Sequence, residues 1–253
     1  MSFNVSADAY GRFMGRFSEP LAVEFAEWSG VADGQQALDV GCGPGALTAR
    51  LVELLGADQV RAVDPSPSFV AAARARFPGL DIAEASAESL PLPDAAVDLA
   101  MAQLVVHFMT DPVAGLREMA RVTRPGGTVA ACVWDLGPGA RAPISLLWRA
   151  VHDLDPGFVG EAELPGGGRG ELAELAAAAG LADIRDGELT VTSAFADFDD
   201  WWEPYTLGVG PAGAYVAGLD QQGRDQLRAR CRELLPAGPF EISATAWCVR
   251  GRA

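Results

Sequence analysis

Seven residues, Asp39-Val40-Gly41-Cys42-Gly43-Pro44-Gly45, have the types and spacing of a binding turn. An acid closes an apolar run, three glycines follow at alternate positions, and a helical pattern opens at once with Ala46 and Leu47. Glycine has no Cβ, so it takes φ > 0 and lets a ligand lie against the backbone. The helix behind such a turn aims free N–H groups and the positive end of its dipole at that ligand. A second acid, Asp64, closes the next apolar run and is followed by Pro65. Ser86, Ala87, Glu88, Gln103 and His107 come later, each near the end of a further apolar run.

These residues need elements to hold them. Ser18 and Pro20 read as a helix start, with Leu21, Ala22, Phe25 and Trp28 on one helical face. Strands are expected at 36–40, 60–64, 81–84, 96–102 and 128–134. Helices are expected at 46–55, 69–77 and 113–122 between them, with a turn at 124–127. Such regular alternation predicts an open, parallel, doubly wound α/β sheet covered on both faces. Ligands bind these sheets outside the carboxyl ends of the strands. After Trp134 the alternation stops. A helix is expected at 143–154, another at 170–179, a strand at 184–195, a helix at 224–235 and a last strand at 240–250.

Composition narrows the function. The chain has 253 residues, 49% of them apolar, enough for one sizeable α/β domain with an elaboration. No apolar run approaches the roughly 18 residues of a membrane span. The opening stretch carries Asp8, Arg12, Arg16 and Glu19 and does not read as a signal peptide. Cys42, Cys132, Cys231 and Cys248 stand far apart, which argues against disulfides or a metal site and for a reduced, cytoplasmic protein. A net charge of −15 disfavours nucleic acid and anionic lipid as partners. A small-molecule substrate fits best.

Two ligand classes use a turn like Asp39–Gly45. The loose dinucleotide form G-x-G-x-x-G/A is met by Gly41 to Ala46, which keeps an NAD(P)-dependent oxidoreductase open as the rival reading. An acid so close to the first glycine is awkward beside a pyrophosphate, however. The turn more closely resembles the (D/E)-x-G-x-G-x-G signature of class I S-adenosylmethionine (SAM) dependent methyltransferases. Ala85-Ser86-Ala87-Glu88-Ser89-Leu90-Pro91-Leu92-Pro93-Asp94 is similar to that family's G-D-A-E-x-L-P-F-P-D loop, with Ser86 where the family has an acid. Residues 97–108 resemble its F-D-x-V-x-x-x-x-x-L-H-H-x stretch. Tyr10-Gly11-Arg12-Phe13-Met14-Gly15-Arg16 has counterparts in a bacterial branch. The whole is similar to the branch of the ubiquinone and menaquinone methyltransferases.

The resemblance implies a Rossmann-like sheet with an antiparallel last strand and SAM as cofactor. It implies cofactor contacts from Asp39, Gly41, Cys42, Gly43 and Gly45 in the turn. Asp64 would take the ribose hydroxyls, Pro65 an adenine face, and Ser86, Ala87 and Glu88 the rest of the adenine side. Gln103 would stand beside the sulfonium, Tyr10 would close the site, and Arg16 would pair with the methionine carboxylate. His107 is a candidate base, and Trp201, Trp202 and Tyr205 are candidate walls for the acceptor. Residues 1–35 are expected to cap the site, 36–134 to hold the cofactor, and 135–169 with 197–235 to form the acceptor side. A SAM-binding protein without catalysis is the non-enzyme alternative.

Overall fold

The computed structural model describes residues 7–137 and 139–253; the start of the expected cap, residues 1–6, lies outside them. A short helix α1 (Ala7–Tyr10) runs through one π-helical turn (Gly11–Gly15) into α2 (Arg16–Ser29). Ser18 is therefore not a cap. The helix is already under way when it reaches Ser18, whose side chain is buried, and Pro20 sits inside it. Proline there forgoes one helical hydrogen bond, and burial of Phe17, Leu21 and Phe25 offsets the loss. Fully burying each such side chain is worth about 1.5–3 kcal/mol.

The chain then alternates. β1 (Ala37–Val40), α3 (Ala46–Leu55), β2 (Val60–Asp64), α4 (Pro67–Arg76) and β3 (Asp81–Glu84) lead to β4 (Val97–Gln103), α5 (Pro112–Val122) and β5 (Thr123–Trp134). Among the described residues the sheet has seven strands in the order β3-β2-β1-β4-β5-β7-β6, completed by β6 (Ala182–Phe195) and β7 (Phe240–Arg252). The first five strands are parallel, and β7 runs antiparallel between β5 and β6. This is the expected α/β Rossmann-like architecture with its antiparallel last strand. The turn expected at 124–127 appears as an irregularity: β4 pairs with Thr123, then resumes at Thr128.

Both faces of the central strands are buried, which is why their sequences read as continuous apolar runs. Ala37, Leu99, Met101, Ala130 and Cys132 pack on one side with Phe17, Leu21, Phe25 and Leu51. Leu38, Val40, Ala100, Ala102, Val129 and Ala131 pack on the other with Leu116, Met119 and Leu172. The remaining helices are α6 (Ser145–Leu154), α7 (Glu171–Ala178), α8 (Phe198–Trp202), α9 (Gly210–Gly218) and α10 (Gln221–Leu234). Asp111, Asp197 and Asp220 cap α5, α8 and α10 through their carboxylates. All four cysteines are free and buried. No helix among the described residues is long and apolar enough to cross a membrane.

Candidate functional site

The carboxyl ends of all five parallel strands meet at one cavity of about 900 Å³. β1 brings Gly41 and Gly43 to it, β2 Asp64 and Pro65, and β3 Ser86, Ala87 and Glu88. β4 brings Gln103, Leu104 and His107, and β5 brings Trp134 and Leu136. The far wall comes from later in the chain: Ile144, Glu161, Leu164 and the start of α9 at Val209–Ala212.

The turn after β1 is built by backbone and by one carboxylate. The N–H groups of Gly41 and Cys42 donate to the Val63 carbonyl at 2.8 and 2.9 Å. The Gly43 N–H donates to Asp64 Oδ2 and the Ser66 N–H to Oδ1, both at 2.8 Å. Asp64 thus ties the glycine turn to the end of β2, and its burial raises its pKa above the usual carboxylate range. Gly43 has φ +54°, and a Cβ placed there would meet nothing within 4 Å. That space is cavity. Gly41 has φ +72° and lies so close to Val105 that a Cβ would clash.

Asp39 lies deeper. It is buried beneath the turn, accepts from Thr48 Oγ1 at 2.6 Å, and does not line the cavity. Burial pushes its carboxyl up to about 7, against the Thr48 bond. Cys42 and Gly45 also lie outside the cavity lining; Cys42 is buried and Gly45 abuts the Phe77 ring.

Around the rim, Glu88 Oε1 accepts from the Thr110 and Asp111 N–H groups, joining the loops after β3 and β4. Gln103 Nε2 donates to the Ser18 carbonyl at 2.9 Å, whereas its Oε1 is buried without a partner among the described residues. Leu104 follows in the left-handed region at φ +62°, a strained backbone for a non-glycine residue, and it too lines the cavity. His107 is buried against Phe108, its Nδ1 has no partner among the described residues, and burial pushes its pKa down to about 3. Such an imidazole is neutral and a weak base at pH 7. It forms part of the cavity wall.

Residues 38–131 match the family described as "Methyltransferase domain". An uncharacterized methyltransferase of Mycobacterium tuberculosis is 40% identical over 135 residues, covering 53% of this chain and 52% of that protein. A malonyl-[acyl-carrier protein] O-methyltransferase of Serratia marcescens is 36% identical over 118 residues, covering 47% of this chain and 45% of that protein. The chain spans about half the length of the curated relatives it matches. Residues 38–131 carry a methyltransferase domain. Its fold agrees with that of geranyl diphosphate C-methyltransferase from Streptomyces coelicolor, solved with S-adenosylhomocysteine (SAH): TM-score 0.56 at 15% identity, over 94% of this chain and 80% of that one.

Besides Asp39, Cys42 and Gly45, further residues expected at the site stand away from the cavity. Trp201, Trp202 and Tyr205 do not line the cavity. They are 1%, 6% and 3% exposed and pack on one another at tilted angles behind its wall, with Tyr205 edge-on to Phe13 at 5.0 Å. The two tryptophans fall on a helix with one face against the core, so they plug it. The Tyr205 hydroxyl donates to the Pro143 carbonyl at 3.3 Å. Arg16, in turn, makes two hydrogen bonds to the Asp200 carboxylate and stacks over Phe195. It lies in a neighbouring cleft with Pro44 and Ala46 and is engaged within the protein. Tyr10 does stand at the cavity, edge-on to Phe69 at 5.4 Å.

The structure also adds site residues that the sequence reading missed. Trp134 donates through Nε1 to Met14 Sδ at 3.3 Å and lines the cavity. Its signal was its position closing the fifth strand. Glu161 and Val209–Ala212 had no such signal. No group of three or more His, Cys, Asp or Glu side chains among the described residues is placed to hold a metal.

Proposed function

We propose that this chain transfers a methyl group from SAM to a small-molecule acceptor, with both bound in the one cavity. The observation that carries this reading is continuity. The space bounded by Gly43, Asp64 and Ser86 runs unbroken to the wall of Ile144, Glu161, Leu164 and Val209. Residues 36–134 then serve the cofactor, residues 135–169 and 197–235 serve the acceptor, and the Tyr10–Met14 segment covers both.

The residues present fit SAM. A Cβ at Gly43 would fill open cavity, and the buried Gln103 Oε1 and His107 Nδ1 lack partners. Each Asp64 oxygen accepts one backbone N–H and keeps a lone pair for a ribose hydroxyl. Ser86 and the Ala87 N–H take the adenine edge, and Pro65 one of its faces. Gln103 Oε1 orients the methionine end. SAM supplies a methyl carbon already activated on a sulfonium. The protein's part is to hold acceptor and methyl in line and to exclude water, an alignment worth roughly 7–11 kcal/mol.

Calorimetric titration separates this reading from a dinucleotide oxidoreductase. SAH is expected to bind in the micromolar range and raise the melting temperature, with no response to NAD+ or NADP+. Binding of NAD+ in place of SAH would overturn the proposal. Binding of SAH with no methyl transfer to any acceptor would favour a silent SAM-binding protein.

A further inference from the structure

Glu161 is an acid placed where an acid is costly. It lies in the irregular stretch between α6 and α7, is 6% exposed, and forms part of the cavity wall. Among the described residues its one side-chain hydrogen bond is from Trp148 Nε1 to Oε2 at 2.9 Å, and no cation pairs with it. The neighbouring Gly160, at φ +61°, packs against the Trp148 indole so closely that a Cβ would stand 3.2 Å from it. Loop and indole thus hold the carboxyl in place. Burial pushes its pKa up to about 7, which expresses the same cost: the charged form lacks a partner.

The rest of the cavity makes the missing partner's charge legible. Among the described residues its titratable lining is Asp64, Glu88, Glu161, Tyr10 and the neutral His107, with no arginine or lysine. Phe13, Phe69, Phe108 and Trp134 supply apolar and π surface. One feature opposes this sign. The first turn of α9 reaches the cavity, and a helix N-terminus attracts anions. It carries the equivalent of roughly half a charge, against a whole one on each carboxylate.

We propose that the acceptor is an apolar amine and that the Glu161 carboxylate is its anchor and proton acceptor. This rests on the methyltransferase reading above. The ammonium group of the acceptor pairs with Glu161 and gives it one proton. The freed nitrogen lone pair then forms the bond to the methyl carbon, and the methyl–sulfur bond breaks with its electron pair on sulfur. Glu161 ends protonated, the product is the methylammonium, and the sulfonium charge is gone, so charge and atoms balance. Glu161 is better matched to this step than His107, whose depressed pKa makes it a poor acceptor of protons.

The test uses three probes that share a phenylethyl skeleton, on SAH-saturated protein at pH 7.5: 2-phenylethylamine, 2-phenylethanol and 3-phenylpropanoate, each titrated by calorimetry. The amine is expected to bind at least tenfold tighter than the carboxylate. Glu161→Gln keeps the shape and the Trp148 bond, and is expected to lower amine affinity at least tenfold while SAH affinity stays within twofold. The wild-type ranking stands by itself even if the variant folds poorly. Equal or tighter binding of 3-phenylpropanoate, or undiminished amine binding by a folded Glu161→Gln protein, overturns the proposal. Failure of wild-type protein to bind SAH overturns the cofactor reading instead.

Discussion

At the scale of single residues, the site depends on positions where nothing else can stand. Gly43 is held at φ +54° with open cavity beside it. Replacing it by Ala is expected to cost about 1–2 kcal/mol of stability for the left-handed backbone. Gly43→Val is expected to abolish SAH binding as well, because its side chain fills the cofactor's space; calorimetry on the folded variant decides. His107 makes a second prediction. In the folded chain its pKa lies near 3, against 6.5 when free. Its contribution to stability is whole above pH 6.5 and is lost as pH falls toward 3, because only the unfolded chain takes up the proton. Asp39 and Glu161, both raised to about 7, act in the opposite sense, losing stability as pH rises from the usual carboxylate range to 7. His107→Asn is therefore expected to flatten the acid side of the stability profile specifically. Urea midpoints between pH 7 and 5 test it, and parallel curves for the two proteins would contradict it.

At the scale of elements, the opening segment is tied both to the sheet, through Gln103 and Ser18, and to the residues that follow β6. Arg12 pairs with Glu203 at 2.8 Å and Arg16 with Asp200, so α2 and the turn before it are fastened to α8 and the residues after it. Both pairs are partly exposed, and each is worth about 0.2–1 kcal/mol. Arg16→Ala is expected to leave SAH affinity within threefold, and a tenfold loss would mean that its guanidinium reaches the methionine carboxylate after all. Trp201, by contrast, belongs to the core. At 1% exposed, its replacement by Ala is expected to cost about 3–5 kcal/mol. A chemical denaturation curve unchanged by that substitution would return Trp201 to the acceptor pocket. The residues in the pocket wall that had no sequence signal show why elements matter. Glu161 stands in a glycine- and proline-rich stretch with no periodicity, and its burial is decided by α6 across the loop. Val209–Ala212 enter the cavity only because α9 starts there.

At the scale of the whole molecule, the legible part of the sequence was the alternating half. Five apolar runs with turn residues between them specify a parallel sheet, and the sheet by itself brings their carboxyl ends together. That is why Gly43, Asp64, Ser86 and Gln103, far apart in the chain, line one space. The same logic failed for Asp39 and Arg16. Whether a polar residue at a strand end or helix start faces a ligand or a neighbour depends on partners from elsewhere, here Thr48 and Asp200. The second half has no comparable rule, and its aromatic pair was more legible than the buried Glu161, although that acid is what reaches the cavity.

A single cavity shared by cofactor and acceptor is tested most directly by a crystal structure with SAH. Adenine is expected beside Ser86 and Ala87, ribose hydroxyls on Asp64, and sulfur toward Gln103, with open volume left between that sulfur and Glu161. SAH bound in the cleft lined by Arg16, Pro44 and Ala46, or filling the volume beside Glu161, would contradict it.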